Sequence, residues 1–207
     1  MRYPKRPAVL CHNNSKINMG SFTESLNLIT SFVSIIGQVI LVILLISWIK
    51  KYWSNGQSAS LIETITRKYS GWIIPTSFSV AAISVLVSLT YSEFIGFVPC
   101  ELCWVQRIFM YPQFIILGLA IWKKTKDSAM YCLALSVIGA IVAGYHFYGQ
   151  SFNPNALPAC DIVSGATSCA VKYFVEFGYV TLPLMSLTAF LLLIAGALLS
   201  ISSEKNS

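Results

Sequence analysis

Residues 178–201 read GYVTLPLMSLTAFLLLIAGALLSI, 24 positions without one charged side chain. At about 1.5 Å of rise per residue, a helix needs about 20 residues to cross the roughly 30 Å hydrocarbon core of a bilayer. This run is long enough to span, and it is apolar on every face rather than on one. Working back along the chain, Ala129–Tyr148 offers 20 uncharged residues, Ile73–Ser92 another 20 and Leu28–Ile49 a further 22. Ile108–Trp122 has 15, and reaches spanning length only if its helix starts near Leu102 and takes Arg107 inside. Five spanning helices are expected, hence an all-α integral membrane protein.

Composition agrees. Of 207 residues, 56% are hydrophobic and 11% charged, where a soluble domain carries about a quarter charged. The net charge of +6 is not a nucleic-acid footprint, because the bases sit in short clusters beside apolar runs. That placement is the mark of membrane topology, and no nucleic-acid partner is expected.

The loops set the orientation. Residues 50–72 hold Lys50, Lys51, Arg67 and Lys68 against Glu63, and residues 123–128 hold Lys123, Lys124 and Lys126 against Asp127. These basic loops lie two helices apart, so both fall on the cytoplasmic side by the positive-inside rule. The turn at 93–103 carries two acids and no base, and the 149–177 loop holds Lys172 against Asp161 and Glu176. Both are expected to face outward. The segment 1–27 should also lie outside, yet it carries Arg2, Lys5, Arg6 and Lys16. Either translation starts at Met19, which removes those bases, or the run 28–49 is not a simple span. Its length exceeds a signal-peptide core, so a true helix is favoured.

The chain has six cysteines: Cys11, Cys100, Cys103, Cys132, Cys160 and Cys169. On this topology Cys100 and Cys103 open the third helix on the outer side, and Cys160 and Cys169 share the outer loop, where disulfides persist. A helix running on from Cys100 would place Cys100, Cys103 and Arg107 on one face. A helix N-terminus and a nearby guanidinium both favour the thiolate, the reactive form. Arg107 then has two tasks open to it, holding the Cys103 thiolate and donating to an acceptor such as a quinone carbonyl. A third course is simply reaching to the headgroups. C-x-x-C alone also fits half of a zinc site, with Cys160 and Cys169 as the other half, but eight residues separate these two, where structural zinc pairs are closer. Trp104 after Cys103 removes the haem-attachment pattern, which needs histidine there. No metal is expected.

The run Pro99-Cys-Glu-Leu-Cys-Trp-Val-Gln-Arg-Ile-Phe-Met-Tyr-Pro112 resembles the DsbB/BdbC family of quinone-linked disulfide bond formation proteins. The likeness extends over residues from about 70 to 201, and Pro158-Ala-Cys-Asp-Ile-Val-Ser-Gly-Ala-Thr-Ser-Cys169 is similar to the BdbC-type second pair. The resemblance implies a DsbB-like four-helix transmembrane bundle over residues 73–201 with an additional N-terminal transmembrane helix at 28–49. The segment 1–27, the basic loop 50–72 and the tail 202–207 flank them. It implies two redox-active disulfides, Cys100–Cys103 and Cys160–Cys169. A DsbA/BdbD-type thioredoxin-fold oxidase would attack the loop pair at Cys160. Exchange between the pairs would follow, and Cys103 would deliver electrons to ubiquinone or menaquinone with Arg107 stabilising the charge. The setting would be a bacterial inner membrane with both pairs extracytoplasmic. Such a partner sits near about −120 mV and an ordinary dithiol near about −270 mV, so about 7 kcal/mol must come from an outside electron sink.

The second pair is closer in sequence than in the best-known DsbB proteins, and the helix at 28–49 is extra to the family core. His146, near the outer end of the fourth helix, could lie beside the quinone or bond backbone. Cys132 reads as an apolar filler. Val171, Phe174 and Val175 suggest a short interfacial helix or a plain loop, and Tyr145, Phe147, Tyr148, Tyr173 and Tyr179 an aromatic belt. Two rival functions remain: a non-catalytic membrane scaffold with structural disulfides, and a reductive carrier of the quinone-epoxide-reductase type. The second usually has its C-x-x-C within a helix and lacks the arginine motif.

Overall fold

The computed structural model describes residues 20–53, 69–125, 128–154, 157 and 168–205. Five long helices carry it: α1 (Ser21–Trp53), α2 (Ile73–Leu89), α3 (Glu101–Lys123), α4 (Ser128–Ser151) and α5 (Leu182–Lys205). All five are long and apolar enough to cross a membrane. The readings that fall on Cys11, Met19, Glu63, Arg67, Lys68, Lys126, Asp127, Cys160 and Asp161 lie outside the described residues.

Helices α2 to α5 form a four-helix bundle in which each packs on its neighbours in turn and α5 returns to α2, while α1 lies outside against α5. Met110, Leu117, Phe190 and Leu193 fill the interior, but lipid tails are as apolar as leucine, so such burial alone does not drive the helices together. Helices in a bilayer associate through close contact of small residues instead. Gly139 of α4 meets the ring of Phe190 on α5 so closely that a Cβ there would overlap it. At Gly196 of α5 the same is true of the Ser77 hydroxyl on α2. Polar ties complete the seams, as where Ser136 of α4 donates to Gln113 Oε1 of α3 at 2.8 Å. Gln113 in turn donates to the Phe109 carbonyl at 2.9 Å, next to Pro112, which supplies no backbone donor of its own.

Helix α1 inverts the usual amphipathic pattern. Its buried positions are small or polar, Thr23, Asn27, Ser31, Ser34 and Ser47, whereas Ile36, Val39, Ile43 and Leu45 are exposed. A polar stripe turned inward and an aliphatic surface turned outward suit a helix whose outer solvent is lipid.

α3 does start by Leu102 and includes Arg107, reaching Glu101–Lys123. Its end is a Schellman-type closure, with Thr125 N–H bonded to Ala120 O at 3.1 Å and Lys124 at φ 53°. α5 begins at Leu182 rather than Gly178, because Phe177 and Gly178 take positive φ in a tight turn bridged between Glu176 and Val180. Pro183 falls in the first helical turn, where its missing donor costs nothing. Between residues 168 and 181 there is no helix among the described residues, so Val171, Phe174 and Val175 belong to a loop.

Candidate functional site: a cysteine cluster at the edge of a membrane cavity

The end of α2 prepares the site. A π-type stretch, Thr90–Phe94, widens the helix, and the chain leaves it through Gly96 at φ 82°. Such bulges recur at functional sites. Extended backbone then leads through Pro99 to Cys100, the N-cap of α3, whose Sγ accepts from the Cys103 N–H at 3.4 Å. The reading of Cys100 and Cys103 as the mouth of the third helix therefore holds.

Aromatic stacking brings the other cysteine in. Tyr173 stacks on Phe97 with ring centres 4.3 Å apart, and Phe174 on Tyr91 at 5.7 Å. Tyr173 also donates to the Val98 carbonyl at 2.6 Å. Gln150, near the end of α4, donates to the carbonyls of Val171 at 2.9 Å and Cys169 at 3.3 Å. These ties press Cys169 into a buried cluster with Cys100 and Leu157. Tyr173 thus acts as a loop clamp, while Tyr145 and Tyr148 are exposed on the flank of the bundle.

Three sulfurs now lie together. Cys169 packs beside Cys100, their sulfurs within 4.8 Å of each other, and Cys100 donates to Cys103 with the sulfurs 3.0 Å apart. Donation to Cys103, with burial added, pushes the Cys100 thiol up to about 12. The neighbouring Cys100 side chain and burial push the Cys169 thiol up as well. Cys103 is the accepting end. Cys132 is buried in the main core with Phe190 and Leu193.

His146 sits where the couples meet. Its Nε2 and the sulfurs of Cys100 and Cys169 form a cluster with ligand atoms within 4.8 Å of one another. Nε2 lies 3.1 Å from the Cys169 carbonyl, which can only accept, so Nε2 carries the proton. Nδ1 then accepts from Gln106 Nε2 at 3.1 Å, and the Gln106 Oε1 accepts from Ser186 of α5. The nitrogen facing the sulfurs thus offers a proton rather than a metal-binding lone pair.

Arg107 is tied to α2. Its guanidinium donates to the Ser88 hydroxyl and carbonyl on α2, each at 3.0 Å, and lies 5.2 Å from the Trp104 ring centre. A polar partner of this kind is what a membrane-embedded charge requires. Cys103, Gln106, Arg107 and His146 all line a cavity of ≈ 380 Å³ walled mostly by aliphatic and aromatic side chains. Gln106, Ser186, Gln150 and Ser88 were not singled out from sequence. The usable signal was Gln106, a buried amide in a spanning helix next to an arginine.

Five spanning helices around a cluster of buried, hydrogen-bonded thiols define a multi-pass membrane protein equipped for thiol–disulfide chemistry. Residues 70–200 match the model of the family described as "Disulfide bond formation protein DsbB", and the chain belongs to that family. It is 39% identical over 126 residues to "Disulfide bond formation protein C" of Bacillus subtilis (strain 168), covering 61% of this chain and 86% of the relative. To the "SPbeta prophage-derived disulfide bond formation protein B" of the same organism it is 44% identical over 130 residues, 62% of this chain and 85% of the relative. To the "Probable disulfide formation protein C 2" of Bacillus anthracis the identity is 34% over 131 residues, 63% and 89%. No solved structure matches the chain. The protein is thus a membrane oxidoreductase of disulfide formation, with residues 21–53 lying outside the matched region.

Proposed function

We propose that residues 73–201 form a thiol:quinone oxidoreductase domain. It would reoxidise a DsbA/BdbD-type thioredoxin-fold oxidase and send the electrons to ubiquinone or menaquinone in a bacterial inner membrane, both cysteine couples being extracytoplasmic. The carrying observation is that Cys100 touches Cys169 on one side and Cys103 on the other, and that Cys103 lines the cavity.

The residues fit a quinone. A flat ring with apolar faces needs an apolar slot, and its carbonyls need donors. The cavity supplies aliphatic walls, and the guanidinium of Arg107 lines it. The bound quinone would supply a two-electron, two-proton acceptor. A partner thiolate attacks Cys160 of the Cys160–Cys169 disulfide and releases Cys169. Cys169 attacks Cys100 of the Cys100–Cys103 disulfide, forming Cys100–Cys169 and releasing Cys103. The second partner thiol frees Cys160 and leaves with its own disulfide. Cys160 then attacks Cys169, which restores the loop disulfide and leaves Cys100 and Cys103 holding two electrons. His146 Nε2–H, fixed on the Cys169 carbonyl, keeps the attacking cysteine against Cys100, and Arg107 supports negative charge at the cavity.

The test uses the full chain in lipid with reduced partner and a quinone. Cys103→Ala should abolish quinone reduction. Normal turnover would reject the relay.

A further inference from the structure

The cavity beside Cys103 is not built by the four-helix domain alone. Leu26, Ile29, Thr30, Val33 and Ser34 of α1 line it as well, although α1 lies outside the matched region at residues 70–200. Two anchors hold α1 in place. Gly37 packs against Thr188 and Leu192 of α5, and the Tyr91 hydroxyl at the end of α2 meets Asn27 Oδ1 at 2.8 Å and Thr30 Oγ1 at 3.0 Å. Between these anchors the seam toward α2 is open. Ile29 and Val33 line the cavity and are still 61% and 52% exposed, and Ile83 facing from α2 is 51% exposed. Residues that border a cavity and are half open to the outside mark its mouth, and the surface outside these helices is lipid. One turn deeper than Thr30, Ser34 adds a buried hydroxyl with no hydrogen-bond partner among the described residues to the same wall.

We propose that α1 and α2 form a lateral port for an isoprenoid quinone. In this arrangement the ring lies by Cys103 and Arg107, and the chain passes out between Ile29 and Val33 of α1 and Ile83 of α2. α1 thereby helps select which tailed quinones enter, a role that rests on the quinone reading above. Without the wall that α1 supplies, the tail would lie in bulk lipid; with it, the opening becomes a passage whose width is set by the side chains on its lips.

The experiment uses the full chain in lipid nanodiscs, with dithiothreitol as electron donor. The acceptors are a tailless benzoquinone and the same ring carrying a multi-isoprenoid chain. Val33→Trp and Ile29→Trp narrow the port, and Val39→Trp, on the exposed face away from the cavity, is the control. The expected result is an equilibrium Kd for the tailed quinone, and with it the KM, raised about tenfold by either port variant, against a much smaller change for the tailless ring, with the control like the parent. Port variants that leave the tailed KM unchanged overturn the proposal. So does an equal effect on both quinones, or an effect of Val39→Trp as large, since each would mean that α1 acts only through the fold. In each case intact quinone reduction by the parent leaves the oxidoreductase reading standing. A parent protein that reduces neither quinone defeats both.

Discussion

Gln106→Leu removes the link that orients His146 while keeping volume and helix propensity close to those of the native side chain. In the structure Gln106 donates to His146 Nδ1 at 3.1 Å and accepts from Ser186. Ser186 keeps a second acceptor, the Pro183 carbonyl at 3.2 Å, whereas Nδ1 is left buried with nothing to accept. A stranded buried polar group costs about 1–3 kcal/mol. The ring can escape that cost by turning or by changing tautomer, and either releases the hold of Nε2–H on the Cys169 carbonyl. If the whole cost falls on the aligned state of Cys169 and Cys100, exchange between the couples slows about 5- to 150-fold. Rapid-quench alkylation followed by peptide mapping reads that step directly, as the rate at which the Cys160–Cys169 disulfide reforms after reduction. Binding of quinone at the cavity should change far less, so KM for quinone separates a positioning role from general damage. An exchange rate within about twofold of the parent would refute the role given to this network.

Arg107→Ala should raise KM for quinone about tenfold or more, the scale of losing a hydrogen bond to a charged donor, and steady-state quinone kinetics would show it. An unchanged KM removes Arg107 from the cavity's work. The Cys100 thiol, pushed up to about 12 from an ordinary 9.0, stays protonated until well above neutral pH. It should hold about a thousandfold less thiolate than an unperturbed cysteine at pH 7, three units being three powers of ten. In the reduced protein, alkylation of Cys100 should therefore climb only toward pH 12, and it should quicken in Cys103→Ala, which removes the main cause. Alkylation that levels off near pH 9 in the parent would contradict the donation to Cys103.

The helices were legible because a bilayer imposes one simple requirement, length without charge, and four runs met it. The third run hinged on Arg107. Whether a charge can lie inside a span depends on its partner, and Ser88 is 19 residues away on another helix, with nothing local to announce it. The late start of α5 followed from the positive-φ pair Phe177 and Gly178, which hydropathy does not register. The motif Cys100–Cys103 and its place at a helix start could be read directly, since Pro99 and the apolar run fix both. The contact between Cys100 and Cys169 could not, because it depends on Tyr173 and Phe174 stacking on Phe97 and Tyr91 across more than 70 residues. Phe174 was read only as part of an apolar spacing, and Tyr173 as a member of an interfacial belt.

The claim beneath the whole account is that electrons cross from the loop couple to the motif couple through the Cys169–Cys100 contact. The most direct measurement is non-reducing peptide mapping of the chain carrying both Cys103→Ala and Cys160→Ala after exposure to its oxidised partner, which supplies the two-electron oxidant. With both resolving thiols gone, the account predicts that Cys100 is found joined to Cys169. Cys100 and Cys169 both recovered as free thiols would contradict it.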